Sequence, residues 1–94
     1  MIRNPNSANL GNIASNCKHI AMFLADANWQ SKLPRINKFI KDTKNIYSKL
    51  TINNPNIRNP FEKLLASKLD TKSAEDFLYF YNRFSNLTIG HQSL

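Results

Sequence analysis

Apolar residues recur every three or four positions in the stretch SKLPRINKFIKDTKNIYSKL, residues 31–50. This spacing places them on one stripe of an α-helix, about 140° wide. The stripe consists of Leu33, Ile36, Phe39, Ile40, Thr43, Ile46, Tyr47 and Leu50. Ser31 is a suitable N-cap, and Pro34 falls in the first turn, where a missing N–H costs little. The pattern therefore predicts a helix over residues 31–50.

The same spacing predicts a helix over residues 7–27 and another over residues 72–87. In the latter, Glu75 and Asp76 fall in the opening turn, where carboxylates favour the positive end of the helix dipole. Tyr79 lies off the apolar face of that helix. It is either a surface tyrosine packed along its ring or an aromatic contact residue.

A short third helix is predicted over residues 60–69. Asn59, Pro60 and Glu62 resemble a capping box, with asparagine in the place of serine or threonine. The preceding segment, residues 52–60, contains two prolines and four asparagines. This composition favours a turn-rich loop and argues against a helix there.

Four helices without strands predict an all-α fold, a compact irregular bundle in one domain over residues 1–94. Residues 1–6 are expected to be a flexible arm and residues 88–94 a flexible tail. If Phe39 is enclosed, its truncation to alanine should cost about 3–5 kcal/mol. The predicted core is Leu10, Ile13, Cys17, Ile20, Leu24, Ile36, Phe39, Ile40, Ile46, Leu50, Phe61, Leu65, Phe77, Phe80, Phe84 and Leu87.

Charge is concentrated on the helix predicted over residues 31–50. The chain has a net charge of +7, and this segment holds six of its thirteen basic residues and one acid, Asp42. The cations lie mostly on the side opposite the apolar stripe. A solvated surface face is the simpler interpretation, and a docking face for an anionic partner is the alternative. Candidate partner-binding residues are Lys32, Arg35, Lys38, Lys41, Lys44 and Tyr79.

The sequence offers little for catalysis, so we expect neither enzymatic activity nor a cofactor. With one cysteine, two histidines and six acids, no metal site of the usual spacings can be assembled. Two glycines are too few for a phosphate-binding loop or a nucleophile elbow. Cys17 and His19 are two residues apart on a helix and do not face each other.

A membrane partner is not expected, because no segment approaches the roughly 18 apolar residues of a spanning helix. The run IAMFLA, residues 20–25, is followed by an A-x-A-like triplet, but it is shorter than a secretory signal requires. The lone cysteine fits a reducing compartment, and we expect a cytoplasmic protein.

Protein binding is the favoured function, through the basic helix face and an acidic partner surface. Nucleic-acid binding by the same face is the alternative, because six cations can neutralise phosphates. No junction, however, has the short turn of a helix-turn-helix. In size, basic charge and four-helix layout, most of the chain resembles the small immunity proteins that protect producers of class II bacteriocins. That resemblance implies an intracellular binding role and carries no residue assignments. The oligomeric state is not predicted.

Overall fold

The computed structural model describes residues 7–88, and within that range the chain forms four α-helices and no strand. This confirms the predicted all-α bundle. The helices are α1 (Ser7–Leu24), α2 (Leu33–Tyr47), α3 (Pro55–Ala66) and α4 (Ser73–Leu87), and a 3₁₀ helix, Trp29–Lys32, precedes α2. The predicted arm, residues 1–6, and residues 89–94 of the predicted tail lie outside the described residues.

Helix α1 is the centre of the bundle and makes its most extensive contacts with α4. The two helices are antiparallel, because the hydroxyl of Ser7 donates to the carbonyl of Thr88 at 3.2 Å, next to the end of α4. Further along the seam, the Lys18 ammonium lies 5.6 Å from the centre of the Tyr81 ring. Helix α2 packs on another side of α1, and α3 packs against α4.

The core is formed mainly by α1, α3 and α4. Twelve of the sixteen predicted core residues are buried, including every one predicted on α1 and α4. Their spacing of three and four residues is the reason that the sequence identified them. The buried hydrophobic residues are Leu10, Ile13, Ala14, Cys17, Ile20, Ala21, Leu24, Ile36, Ile52, Ile57, Phe61, Leu64, Leu65, Phe77, Phe80, Phe84 and Leu87.

The apolar stripe of α2 is only partly covered, which corrects the prediction for this helix. Only Ile36 and Thr43 are buried on α2, and the Thr43 hydroxyl donates to the Phe39 carbonyl at 2.7 Å. The other predicted core residues of this segment, Phe39, Ile40, Ile46 and Leu50, are half-buried. The physical reason is the packing order: α2 lies mainly against α1, while α3 packs on α4.

Helices α1 and α2 are shorter than predicted. Helix α1 ends at Leu24 instead of residue 27, and the backbone N–H of Asn28 donates to the Asp26 side chain at 2.9 Å, which closes a local turn. Ser31 is not the N-cap of α2. It lies in the 3₁₀ helix, where its hydroxyl donates to the Asn28 carbonyl at 2.7 Å. Helix α2 ends at Tyr47 instead of residue 50.

The start of α3 was predicted five residues too late. Asn54 is the cap, and its side chain accepts from the backbone N–H of Asn56 at 3.0 Å. Pro55 occupies the first turn, as proline favours, and Pro60 lies inside the helix. The earlier start adds a turn in which Ile57 is buried, so the predicted loop over residues 52–60 is partly helical.

The start of α4 agrees with the predicted residue 72 to within one position. The Asp70 carboxylate accepts from the Ser73 backbone N–H at 3.0 Å, and the Ser73 hydroxyl accepts from the Asp70 backbone N–H at 3.1 Å. This reciprocal pair satisfies two backbone donors at the helix start. Glu75 and Asp76 occupy the first turn as predicted.

Truncation of Phe39 or of Phe61 to alanine should distinguish the half-buried stripe of α2 from the core by the stability that each change removes. Phe61 is fully buried and contacts the rings of Phe80 and Phe84, with ring centres 4.9 and 4.8 Å away. We expect Phe61→Ala to lower the free energy of unfolding by about 3–5 kcal/mol and Phe39→Ala by about 1–2 kcal/mol. Urea unfolding followed by circular dichroism measures both values. Equal losses would contradict the partial burial of α2.

Cys17 should report on global unfolding. Its side chain is fully buried on α1, and burial raises the pKa of the thiol to about 12. The thiol is therefore protonated and covered at pH 8, where the thiolate is the reactive form. We expect a thiol-reactive aromatic disulfide to modify the native protein at least about a thousandfold more slowly than the urea-unfolded chain. Similar rates in both states would contradict the burial of Cys17.

Candidate functional site

The outward face of α2 carries the cations that the sequence singled out. Arg35, Lys38, Lys41 and Lys44 occur at every third position and are all exposed. At about 100° per residue, this spacing carries them across the side of the helix opposite the buried Ile36. We refer to these four residues as the basic face.

The basic face forms no ion pair with a carboxylate of the described residues. Among residues 7–88, two ion pairs form, Lys32 with Asp26 and Arg58 with Glu62, and neither involves the basic face. The four charges therefore remain available to an external anion. Their exposure to water and salt means that each isolated pair with a partner would be weak.

Lys32 differs from the other candidate residues. Its ammonium contacts the Asp26 carboxylate at 2.5 Å and lies 5.8 Å from the centre of the Phe23 ring. The hydrogen bond from Lys32, followed by the one from the Asn28 backbone, lowers the pKa of the Asp26 carboxyl below its usual range. The charge of Lys32 is thus used to hold the connection between α1 and α2, and we do not include it in the basic face.

A depression adjoins the basic face and shares three of its cations. Arg35, Lys38 and Lys41 line it with Asp42 and Asn45, and the ring of Phe39 contributes an apolar surface. Sequence periodicity assigned Phe39 wholly to the core. Because Phe39 is only partly buried, it gives the depression an apolar part beside charged and amide groups.

Two α1 residues that the sequence analysis did not select fix the geometry of this depression. The imidazole of His19 stacks on Phe39, with ring centres 5.2 Å apart and planes 23° from parallel. The Asn16 side-chain amide donates to the Asp42 carboxylate at 2.9 Å. Asn16 is buried between the helices. Their positions on the side of α1 that faces α2 could be recognised only once the packing of the two helices was known.

Asp42 places a negative charge beside the cations of the basic face, at the edge of α2 that lies toward α1. Its side chain is exposed, but the hydrogen bond from Asn16 fixes one of its oxygens. A carboxylate accepts several hydrogen bonds, so the second oxygen remains able to accept from a partner. The surface is therefore a mixed one, with a net positive charge and one oriented acceptor.

Tyr79 belongs to another surface. It is 51% exposed and lines a groove between α3 and α4, with Pro60, Lys63, Leu64, Ser67, Asp76 and Phe80. Its ring meets Phe80 edge to face, with ring centres 5.1 Å apart and planes at 77°. The structure therefore does not bring Tyr79 into the depression on α2, although the sequence analysis grouped it with the same candidate binding residues.

Neither a metal site nor a membrane-spanning helix is present in the described part of the chain. Within the described part of the chain, no three His, Cys, Asp or Glu side chains are close enough to hold a metal ion together. No helix between residues 7 and 88 has both the length and the apolar character needed to cross a bilayer.

Comparison with known proteins adds no assignment to this geometry. The chain matches no protein-family model, no curated protein and no solved structure.

Proposed function

We propose that this chain is a non-enzymatic protein-binding module that presents the basic face of α2 to an acidic surface of another protein. The observation that supports the proposal is the set of four exposed cations on one helix face. No carboxylate of residues 7–88 forms an ion pair with them. Because the described helices pack on the opposite side of α2, a partner can approach this face without disturbing the core.

Charge of one sign on a surface chiefly accelerates encounter with a partner of opposite charge and disfavours wrong partners. The basic face therefore indicates the sign of the partner surface. We further propose a cytoplasmic location, since the single cysteine is a buried, unpaired thiol that suits a reducing compartment.

Reversal of two charges at the centre of the basic face tests the proposal. Lys38→Glu combined with Lys41→Glu should leave the fold intact, because both side chains are exposed. We expect this variant to lose the proteins that the immobilised wild-type chain retains from a nuclease-treated lysate of its source cells. Each retained protein is then purified, and its affinity for both forms is measured at several salt concentrations.

The matched control is Lys68→Glu combined with Lys72→Glu, which changes the net charge equally at exposed positions between α3 and α4. This control should keep the same partners. Retention of the same proteins by the Lys38/Lys41 variant would overturn the proposal and make the groove at Tyr79 the next candidate.

Nucleic-acid binding is the competing function, and a salt titration separates the two. If the four cations of the basic face each met a phosphate of duplex DNA, log affinity would fall with log salt at a slope of about −3 to −4. We expect instead little binding of mixed-sequence duplex or single strand near physiological salt. Tight binding with that slope, weakened by Lys38→Glu and Lys41→Glu, would favour the nucleic-acid function.

A further inference from the structure

The apolar part of the basic face is the ring of Phe39. One side of the ring is covered by His19, and Phe23 lies beside it with ring centres 6.0 Å apart. The ring also lines the depression, together with Arg35 and Asp42. A partly covered aromatic ring with charged and amide groups beside it has the composition of a small anchoring site, in which an apolar centre is bordered by a polar rim.

We propose that this depression binds one apolar side chain of an acidic peptide segment, with neighbouring carboxylates of that segment lying against Arg35, Lys38 and Lys41. This inference rests on the proposed function and specifies the chemistry of the partner. The partner segment would combine acidic residues with one aliphatic or aromatic residue, and it would approach as a peptide instead of as a uniformly charged surface.

Charge complementarity selects the acidic character of the occupant. The three rim cations are exposed and form no ion pair with carboxylates of the described helices. Exposed ion pairs alone give little affinity, however, because water and salt screen them. Removing the free edge of Phe39 and a partner side chain from water supplies the non-electrostatic part of the binding.

Asp42 favours a peptide over a phosphate backbone. Its carboxylate lies among the rim cations and is held there by Asn16 at 2.9 Å. A phosphodiester strand presents acceptors and negative charge, so it would meet Asp42 with repulsion. A peptide has backbone N–H groups, one of which can donate to the free oxygen of Asp42 while its carboxylates meet the cations.

Two synthetic peptides of equal charge test the inference on the full chain. One is a glutamate-rich peptide with a single central leucine, and the other has serine in place of that leucine. We expect the leucine peptide to bind about tenfold more tightly near physiological salt, because burying a leucine side chain adds at least that factor. Both peptides should lose affinity for the Lys38→Glu/Lys41→Glu variant.

Nuclear magnetic resonance locates the leucine without any substitution in the protein. With the leucine methyl groups labelled, nuclear Overhauser effects to the Phe39 ring are expected. In Phe39→Ala, provided that its circular dichroism remains native, the two peptides should bind equally. Tyr79→Ala is the matched control on the other groove and should keep the tenfold difference.

Several outcomes would overturn the inference. These are equal affinities of the two peptides for the wild-type chain, no binding of either peptide, or methyl contacts at Met22, Leu78 or Tyr79. Tighter binding of a single-stranded oligonucleotide than of either peptide would also overturn it. Equal affinities that both disappear in the Lys38→Glu/Lys41→Glu variant would remove the anchoring site and leave the proposed function standing. If that variant still retains the lysate partners, both the anchoring site and the proposed function are overturned.

Discussion

The packing of α1 against α4 is the interaction on which the rest of this fold depends. Seven buried hydrophobic residues of α1 meet an aromatic-rich face of α4, and α3 covers the same face with Phe61. Because α3 packs on α4, helix α2 has mainly α1 to pack against. A helix supported on one side buries the middle of its apolar stripe, here Ile36 and Thr43, and leaves the edges of the stripe at the surface. The partly exposed Phe39 is thus a consequence of how the other three helices are arranged.

Local sequence was sufficient for the class of the fold and for the inward faces of α1 and α4, because helical periodicity is a local property. It was insufficient at the start of α3, where the Asn–Pro pair occurs twice, at Asn54 and at Asn59. Both pairs offer an asparagine cap followed by proline, and Glu62 favours the second pair locally, so the choice of the first pair is made by tertiary packing. The first pair adds Ile57 to the core, and this burial offsets a proline inside the helix, a change that costs about 3 kcal/mol.

The candidate site shows the same division between local and tertiary information. The sequence identified the cations of α2, since charge and spacing can be counted along the chain. It could not identify His19 or Asn16 as neighbours of Phe39 and Asp42, because these contacts join two helices across 20 and 26 residues of sequence. Nor could it show that Lys32 is committed to Asp26. Periodicity indicates which side of a helix faces inward, but the coverage of that side depends on elements that follow later in the chain.

Charge and apolar exposure on α2 contribute different things to recognition. Four cations within three turns give a long-range attraction for any anion, and this attraction discriminates poorly between a protein, a nucleic acid and an anionic lipid. Discrimination requires short-range groups in fixed positions, and the structure supplies two of them: the Phe39 ring held by His19, and the Asp42 carboxylate held by Asn16. An anion without an apolar group gains no affinity from the Phe39 ring. An anion without a hydrogen-bond donor is repelled by the Asp42 carboxylate. The surface is therefore better suited to a ligand that combines negative charge, an apolar group and a hydrogen-bond donor. An acidic peptide has these three features in the smallest space.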